Sequence, residues 1–376
     1  MTTQLSFDDN YLTELLARLV NIPSVYPHEK EILLFLEEEL ARLGFAIKRY
    51  PVTDDRWNIL VRIGEGEPIL CLNAHCDTVQ PTGDSIPEAR IEGDTLYGLG
   101  SMDDKASITA MIGAMKAVAD SGIKLSGTLD LLLSVDEEGD AKGVRTAIPQ
   151  GYRCDMAIIG EGSSLHIVPA HCGLVFLEIV THGKATHGSL PMLGVNAIEL
   201  MYQLVTELRE AVTDFPPHPK VGPPSLCLGI LRGGDRPNRV PDRCEASVDI
   251  RLVPPMTVEW VLDRVRGVFD RWGDKAEYRV IKQGGALDTP LDSPLIAAIR
   301  SVKERITGAS HDEVVGWRGW TEAEAFQAGL GIDAVVLSTE MLVARLQMAH
   351  QVHLVADTRQ VAAVLHQLVG RQVGRA

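Results

Sequence analysis

The amino-acid sequence predicts an α/β protein that carries a smaller α+β domain as an insertion. Apolar strands alternate with amphipathic helices up to about residue 160, which is typical of a sheet covered by helices. Between residues 173 and 284 the order changes to β-α-β-β-α-β, and the first pattern then returns. We therefore expect a mixed-sheet domain made of residues 1–172 and 285–376, with a ferredoxin-like domain of residues 173–284 between its two parts.

The first part of the chain begins with two predicted helices. Leucines repeat at helical spacing behind Asp8 and Asp9, which are candidate N-caps, and the second helix ends at Gly44. Several of the strands that follow are continuously apolar, which indicates burial on both faces. The remaining elements of this part are predicted strands at 58–63, 68–74, 128–135 and 156–160, and a helix at 104–119.

The inserted domain and the last part of the chain have their own elements. Glycines 284 and 285 and the neighbourhood of Cys172 are the expected hinge between the two domains. In the insertion we predict strands at 174–181, 225–231, 244–252 and 277–281, and helices at 196–211 and 258–271. After it we predict helices at 294–306, 321–328 and 357–373, and a strand at 334–337.

Composition excludes several classes of protein. The chain has 376 residues, with 36 Lys and Arg against 51 Asp and Glu, and the net charge of −15 argues against nucleic acid as a partner. The sequence has neither an apolar run long enough to span a bilayer nor the pattern of a signal peptide at its start, so we expect no membrane partner. Six cysteines without Cys-x-x-Cys spacing argue against a disulfide framework, and a reducing cytoplasm is the expected location.

A histidine and an aspartate follow one of the apolar strands. His75 and Asp77 stand two residues apart in the segment LCLNAHCD, so strand geometry points both side chains to the same face. An imidazole beside a carboxylate suits a metal ligand and the group that orients it. Taken alone this pair is a weak signal, because such a spacing is common by chance.

A glycine-rich turn precedes the helix predicted at 104–119. Residues 98–104 read GLGSMDD, which resembles a dinucleotide-binding loop, but Asp103 occupies the position of the third glycine. A carboxylate there would repel a pyrophosphate, so the cofactor interpretation is rejected. The glycines instead allow the backbone to present Asp103 at the edge of the sheet.

Further acids and a histidine complete the candidate set. Glu137 and Glu138 follow the strand at 128–135, Glu161 follows the next strand, and His350 lies near the end of the chain. In α/β sheets ligands bind outside the carboxyl ends of the strands, where these acids are expected. The alternative is that the acidic turn is a solvated face and that the histidine has a structural role.

In their order along the chain, these motifs resemble those of the zinc aminoacylase and carboxypeptidase superfamily. The resemblance covers nearly the whole chain and is closest to the acetylornithine deacetylase and succinyl-diaminopimelate desuccinylase group, above all its acetylornithine deacetylases. It is supported by further stretches, GVNAIELM at 194–201, DIR at 249–251 and TEA at 321–323. The resemblance implies a zinc-peptidase-like catalytic domain and an inserted domain that serves as a lid and in dimerisation.

The resemblance also implies roles for the candidate residues. Asp103 would bridge two Zn²⁺ ions, for which Co²⁺ or Mn²⁺ could substitute, and mixed nitrogen and oxygen ligands suit zinc. His75 and Glu161 would complete the shell of one ion, and Glu138 and His350 that of the other. Asp77 would hydrogen-bond the far nitrogen of His75, and Glu137 would be the general base.

Three residues of the inserted domain have implied roles as well. His187 matches the histidine that reaches a neighbouring subunit's site and stabilises an oxyanion, which implies a homodimer. Asn238 and Arg251 match positions that contact the substrate, although Arg251 could instead pair with Asp249. Leu99 stands where the family usually has arginine, so the substrate is left open.

The expected function is that of a di-zinc hydrolase that cleaves the amide bond of N-acyl amino acids, as in the deacylation of acetylornithine. A dipeptidase or carboxypeptidase using the same centre, with a short peptide as its substrate, is the alternative. A third possibility is a binding protein on a decayed hydrolase scaffold, which would be expected to have lost ligands or the base.

Overall fold

The computed structural model describes residues 8–81, 86, 88–93, 95–125, 127–163, 165–307 and 314–337. The predicted ligand His350 and the predicted helix at 357–373 lie outside these residues. The α-helices are α1 Asp9–Asn21, α2 Lys30–Arg42, α3 Lys105–Ser121, α4 Lys142–Ala147, α5 Ala197–Thr213, α6 Val258–Trp272, α7 Pro294–Thr307 and α8 Ala323–Leu330. The strands are β1 Ile47–Thr53, β2 Arg56–Gly64, β3 Ile69–His75, β4 Arg90–Glu92, β5 Thr95–Tyr97, β6 Thr128–Ser134, β7 Met156–Ile159, β8 Ile167–His171, β9 Gly173–His182, β10 Thr186–His187, β11 Ser225–Gly233, β12 Arg239–Val240, β13 Arg243–Leu252, β14 Ala276–Gly284, β15 Leu287–Asp288, β16 Val314–Trp317 and β17 Asp333–Val336.

The chain forms two compact units. The larger contains the described parts of Met1–Pro169, Thr289–Val315 and Thr321–Ala376, and the smaller contains Ala170–Asp288 and Gly316–Trp320. The sequence pattern places that last short segment with the larger domain. In the structure Arg318 joins it to the smaller unit, because its guanidinium donates hydrogen bonds to main-chain oxygens of residues 221 and 223.

The larger unit is built on a mixed sheet with the strand order β1-β2-β6-β3-β7-β17-β8. Strand β3 pairs in parallel with both β6 and β7, and β17 pairs in parallel with β7. The outer pairs, β1 with β2, β2 with β6 and β17 with β8, are antiparallel. Every residue of β6 is buried, as expected for a strand covered on both faces. The carboxyl ends of the central parallel strands therefore meet at one edge of this sheet.

The smaller unit has the β-α-β-β-α-β order expected of a ferredoxin-like domain. Its sheet has the strand order β11-β13-β9-β14, and all three pairings are antiparallel. Side chains along β13 alternate between buried and more exposed, which is typical of a sheet covered on one face. Helices α5 and α6 contribute most of the apolar side chains that pack against it.

The lengths and apolar character of the helices can be compared with those of membrane-spanning helices. Among the helices of the described residues, none is long and apolar enough to cross a bilayer.

Candidate metal and catalytic site

Three of the predicted ligands meet at the carboxyl edge of the larger sheet. His75 is the last residue of β3, Asp103 lies in the turn before α3, and Glu161 follows β7. The Nε2 of His75 lies 2.8 Å from Oδ1 of Asp103 and 3.7 Å from Oε1 of Glu161. One ligand atom from each of the three residues lies within 4.8 Å of the other two, which is close enough to bind one cation.

The charges in this cluster favour a cation. Burial alone would lower the pKa of His75, but the carboxylates of Asp103 and Asp77 outweigh it and raise that pKa well above its usual value. Burial, followed by the charge of Asp103, raises the pKa of Glu161 well above its usual range. The site therefore favours a positive charge beside its carboxylates, either as a proton on the imidazole or as a metal ion.

The ligand atoms suit a transition metal. One imidazole nitrogen with two carboxylate oxygens is the mixed donor set that Zn²⁺ accepts, and Co²⁺ and Mn²⁺ use the same atoms. The Nδ1 of His75 is held 3.0 Å from the main-chain oxygen of Asp77, which leaves Nε2 directed at the cluster. The residues present therefore fit a metal ion.

Asp77 binds the turn that carries the predicted base. Its Oδ1 lies 3.6 Å from Nδ1 of His75, so the main-chain oxygen is the closer partner of that ring. Its carboxylate instead accepts the N–H of Glu137 at 3.2 Å and the N–H of Glu138 at 2.9 Å. Burial would raise the pKa of Asp77, but His75 and the N–H of Glu138 outweigh it and lower that pKa.

The acidic turn is not a solvated face. Asp136 is fully buried and Glu137 is 6% exposed, while Glu138 is partly exposed. The charge of Glu137 acts on both His75 and Glu161, which places its carboxylate in the electrostatic neighbourhood of the cluster. Glu138 is not among the three residues that group around a common point in the described part of the chain.

Two buried acids near the cluster were not singled out from the sequence as site residues. Asp104, directly after Asp103, accepts the main-chain N–H of His75 with Oδ2 at 3.2 Å. Glu322 is 1% exposed and accepts a hydrogen bond from the hydroxyl of Ser134 at the end of β6. Burial raises the pKa of Glu322 to about 7. The available signals were the doubled aspartate and the TEA stretch at 321–323.

The predicted residues of the smaller unit fall into two places. His187 in β10 is exposed, its Nδ1 lies 2.7 Å from the hydroxyl of Ser189, and it pairs in register with a residue of β12. Asn238 lies close by, because its main-chain oxygen accepts the N–H of Gly188. Arg251 forms the ion pair with Asp249 that the sequence left open, with an Nε to Oδ1 distance of 2.9 Å.

Comparison with known proteins identifies the family. The model of "Peptidase family M20/M25/M40" matches residues 71–369, which is most of the chain and includes the cluster. The chain belongs to peptidase family M20. Membership agrees with the superfamily that the motifs resemble, and that prediction is confirmed.

Two relatives and one solved structure show what this M20 protein is similar to. It is 27% identical to the probable succinyl-diaminopimelate desuccinylase of Staphylococcus epidermidis over 350 residues, which cover 83% of this chain and 85% of that protein. It is 31% identical to the acetylornithine deacetylase of Proteus mirabilis over 314 residues, which cover 77% and 80%. The M20 family metallo-carboxypeptidase Sso-CP2 from Sulfolobus solfataricus has the same fold, with a TM-score of 0.82, 18% identity, and coverage of 96% and 98%.

These comparisons establish the class of reaction. The M20 protein is a metal-dependent hydrolase of amide bonds. The α/β fold class with its mixed sheet is confirmed by the same structural likeness.

Proposed function

We propose that the protein is a di-zinc deacylase that cleaves the amide bond of N-acyl amino acids, with acetylornithine-type deacylation as the best single candidate. The observation that carries the proposal is the cluster of the buried His75 and Glu161 with the half-exposed Asp103, next to a turn whose backbone is held by Asp77. The desuccinylase and deacetylase relatives support an acylated amino acid as the substrate.

The proposed metal shell uses residues from both parts of the chain. In this proposal His75 and Glu161 would hold one ion, Glu138 and His350 would hold the other, and Asp103 would serve both. When bound, two zinc ions lower the pKa of water and polarise the scissile carbonyl.

Glu137 is the proposed general base. Its carboxylate takes the proton of the attacking water and passes it to the nitrogen that leaves when the amide breaks. Burial reduces competition from bulk water for that proton. The hydrogen bond from its N–H to Oδ1 of Asp77 fixes the backbone from which the carboxylate extends.

The first test removes the carboxylate of Glu137 and keeps the shape of the side chain. We expect Glu137→Gln to lose about 10²- to 10⁴-fold in kcat, the usual contribution of a positioned general base, while zinc content is unchanged. Turnover is measured with N-acetylornithine, other N-acetyl and N-succinyl amino acids, and dipeptides. The matched control is Asp140→Asn in the same turn, whose carboxylate forms only a half-exposed ion pair with Lys142.

Two results would contradict the proposal. Full turnover in Glu137→Gln would remove its proposed role as base, and zinc absent from the wild-type protein would remove the metal centre. Faster turnover of dipeptides than of acyl amino acids would move the assignment to a peptidase with the same centre.

We further propose that the protein is a homodimer through its smaller unit, with His187 serving the site of the partner subunit. The exposed location of His187 supports this, because a donor stabilises an oxyanion only when it is held against the reacting group. Large apolar side chains are also exposed in this unit, and an exposed apolar patch marks an interaction surface. Among them are Leu190, Met192, Leu193, Val195, Ile198, Tyr202, Ile230 and Leu231.

A further inference from the structure

A buried ion network lies behind the turn that carries Glu137. Arg56 is the first residue of β2, and its side chain is 9% exposed. Its Nη1 donates to Oδ1 of Asp136 over 2.6 Å, and its Nε donates to Oε2 of Glu29 over 2.7 Å. Both carboxylates are fully buried. The planar guanidinium thus joins two carboxylates from distant parts of the chain in a fixed geometry.

Asp136 in turn shapes the backbone before the base. Its φ of +74° lies in the left-handed region, where aspartate is tolerated better than most residues. Its Oδ2 accepts the N–H of Asp140 at 3.0 Å and the N–H of Lys142 at 3.1 Å, while Oδ1 is held by Arg56. Because Asp136 directly precedes Glu137, a rotation of Asp136 would displace the base.

The aromatic ring of Tyr26 holds the turn from a second side. A Cβ at Gly139 would lie 2.4 Å from Cε2 of Tyr26, so the tyrosine ring packs directly on the backbone of the turn. The guanidinium carbon of Arg56 lies 5.2 Å from the centre of the same ring. Together with the bonds to Asp77, these contacts leave the turn little freedom.

A purely structural role explains this network poorly. Buried ion pairs contribute little net stability, because the desolvation of the charges offsets their attraction, and apolar side chains of similar volume often do as well. The network is, however, suited to fixing one backbone geometry, because the planar guanidinium of Arg56 can bind both carboxylates in only one arrangement.

We propose that Arg56 and Glu29 form a positioning pair. The pair acts through Asp136 to hold the carboxylate of Glu137 towards the cluster of proposed metal ligands. The inference rests on the proposed function, because it takes Glu137 to be the general base. Neither member of the pair touches the substrate in this proposal. Their effect is on the rate of the chemical step and not on substrate binding.

The test compares two arginines of the same strand. Arg56→Met breaks the positioning pair, and Arg62→Met breaks a second ion pair between β2 and β6, in which Nε of Arg62 lies 2.7 Å from Oδ1 of Asp130. Asp130 is buried but lies six residues before Asp136, about 20 Å away along an extended chain. Each variant is loaded with zinc, and kcat, KM, zinc content and the unfolding midpoint are measured.

We expect kcat to fall while KM stays nearly constant, which loss of stability alone would not produce. A displacement of a catalytic group by about 1 Å can lower a rate about 100-fold, so Arg56→Met should lose about that factor in kcat. Its KM should stay within about twofold and its zinc content should not change. Arg56→Lys keeps the charge but not the fork, and should recover part of the lost kcat. Arg62→Met should keep the wild-type kcat.

Other outcomes overturn the proposal. A kcat for Arg56→Met within twofold of that of Arg62→Met would show that the network does not position the base, while an inactive Glu137→Gln would leave the proposed function standing. If Glu137→Gln is also fully active, the proposed function fails and the positioning pair fails with it. Loss of zinc in parallel with kcat would likewise remove the positioning role.

If Arg56→Met does not fold, a milder variant tests the same proposal. Glu29→Gln keeps the shape of the side chain and removes one buried charge. If this variant folds, its kcat still tests whether the pair positions Glu137. We expect about a tenfold loss in kcat at constant KM and zinc content. An unchanged kcat in a folded Glu29→Gln would overturn the proposal.

Discussion

Asp77 and Arg56 show what sequence reasoning reaches at the scale of single residues. His75, Asp103 and Glu161 were predicted to meet, because each follows a strand or precedes a helix at the same edge of an α/β sheet. The hydrogen bonds that the Asp77 carboxylate accepts from two N–H groups of the acidic turn were not predicted, since they depend on how that turn folds back. Arg56 was not singled out either, because beside two aspartates it resembles an exposed turn.

His171 offers a test of burial that is independent of the metal site. It is fully buried in the smaller unit, its Nδ1 lies 2.9 Å from the main-chain oxygen of Cys172, and burial lowers its pKa to about 4. The unfolded chain has a histidine pKa of about 6.5, so the unfolded state binds the proton first as pH falls. The stability that neutral His171 contributes is therefore complete above pH 6.5 and is lost between pH 6.5 and 4.

The corresponding measurement compares urea unfolding of the wild type and His171→Gln. Between pH 7.5 and pH 5 the wild type should lose roughly 2 kcal/mol more than the variant, since each pKa unit is worth about 1.4 kcal/mol. Parallel pH dependences in the two proteins would show that the pKa of His171 is the same in the folded and unfolded states, and would contradict the effect of burial.

At the scale of elements, long apolar strands and amphipathic helices were predictable, and short or polar ones were not. The sequence analysis missed β1, because its exposed residues and Pro51 do not read as a strand, yet proline is tolerated at the edge of a sheet where β1 lies. It also missed α4, which has only six residues and too few turns to show a period. The order of strands in the sheet depends on contacts across the chain, so local patterns could not supply it.

The close packing of α4 on the sheet yields a prediction for one glycine. A Cβ at Gly143 would lie 2.4 Å from the main-chain oxygen of Val135 and 2.7 Å from Oδ1 of Asn58. Gly143→Ala should therefore lower the free energy of unfolding by about 1–3 kcal/mol, as expected of overpacking against backbone. It should also lower kcat, because α4 follows directly on the acidic turn.

The control is a glycine that has room in another helix. A Cβ at Gly267 in α6 meets its nearest atom only at 3.9 Å, so Gly267→Ala should raise the free energy of unfolding by up to about 1 kcal/mol. Denaturant unfolding of both variants measures the contrast. A Gly143→Ala protein as stable as the wild type would mean that α4 is free to move away from β6.

At the scale of the whole molecule, the proposed dimer is open to a direct test. Tyr202 is 76% exposed on α5 and Ile230 is 46% exposed on the edge strand β11. Aspartate at both positions places charge on the apolar patch, so we expect the mass in solution to fall from twice 41.0 kDa to 41.0 kDa. Turnover should fall with it, because His187 would no longer reach a second site.

The control for this prediction lies in the other unit. Ile91 in β4 is 52% exposed and apolar, so Ile91→Asp makes the same chemical change outside the patch and should leave mass and turnover as they are. Light scattering coupled to gel filtration measures the mass. A double variant that stays at twice the monomer mass would place the subunit interface elsewhere.

The three clustered residues that we propose as ligands come from segments that are far apart in the chain, and only the finished sheet brings them together. An unfolded chain therefore offers the ion no comparable site, and binding favours the folded state by about 4 kcal/mol when the free ion is at 1,000 times its dissociation constant. The second core, in the smaller unit, contains none of these ligands and gains nothing directly from the ion. Under the proposed function, metal supply in the cell would thus set how long the larger unit of each molecule survives proteolysis, and starvation for the metal would deplete the protein itself as well as its activity.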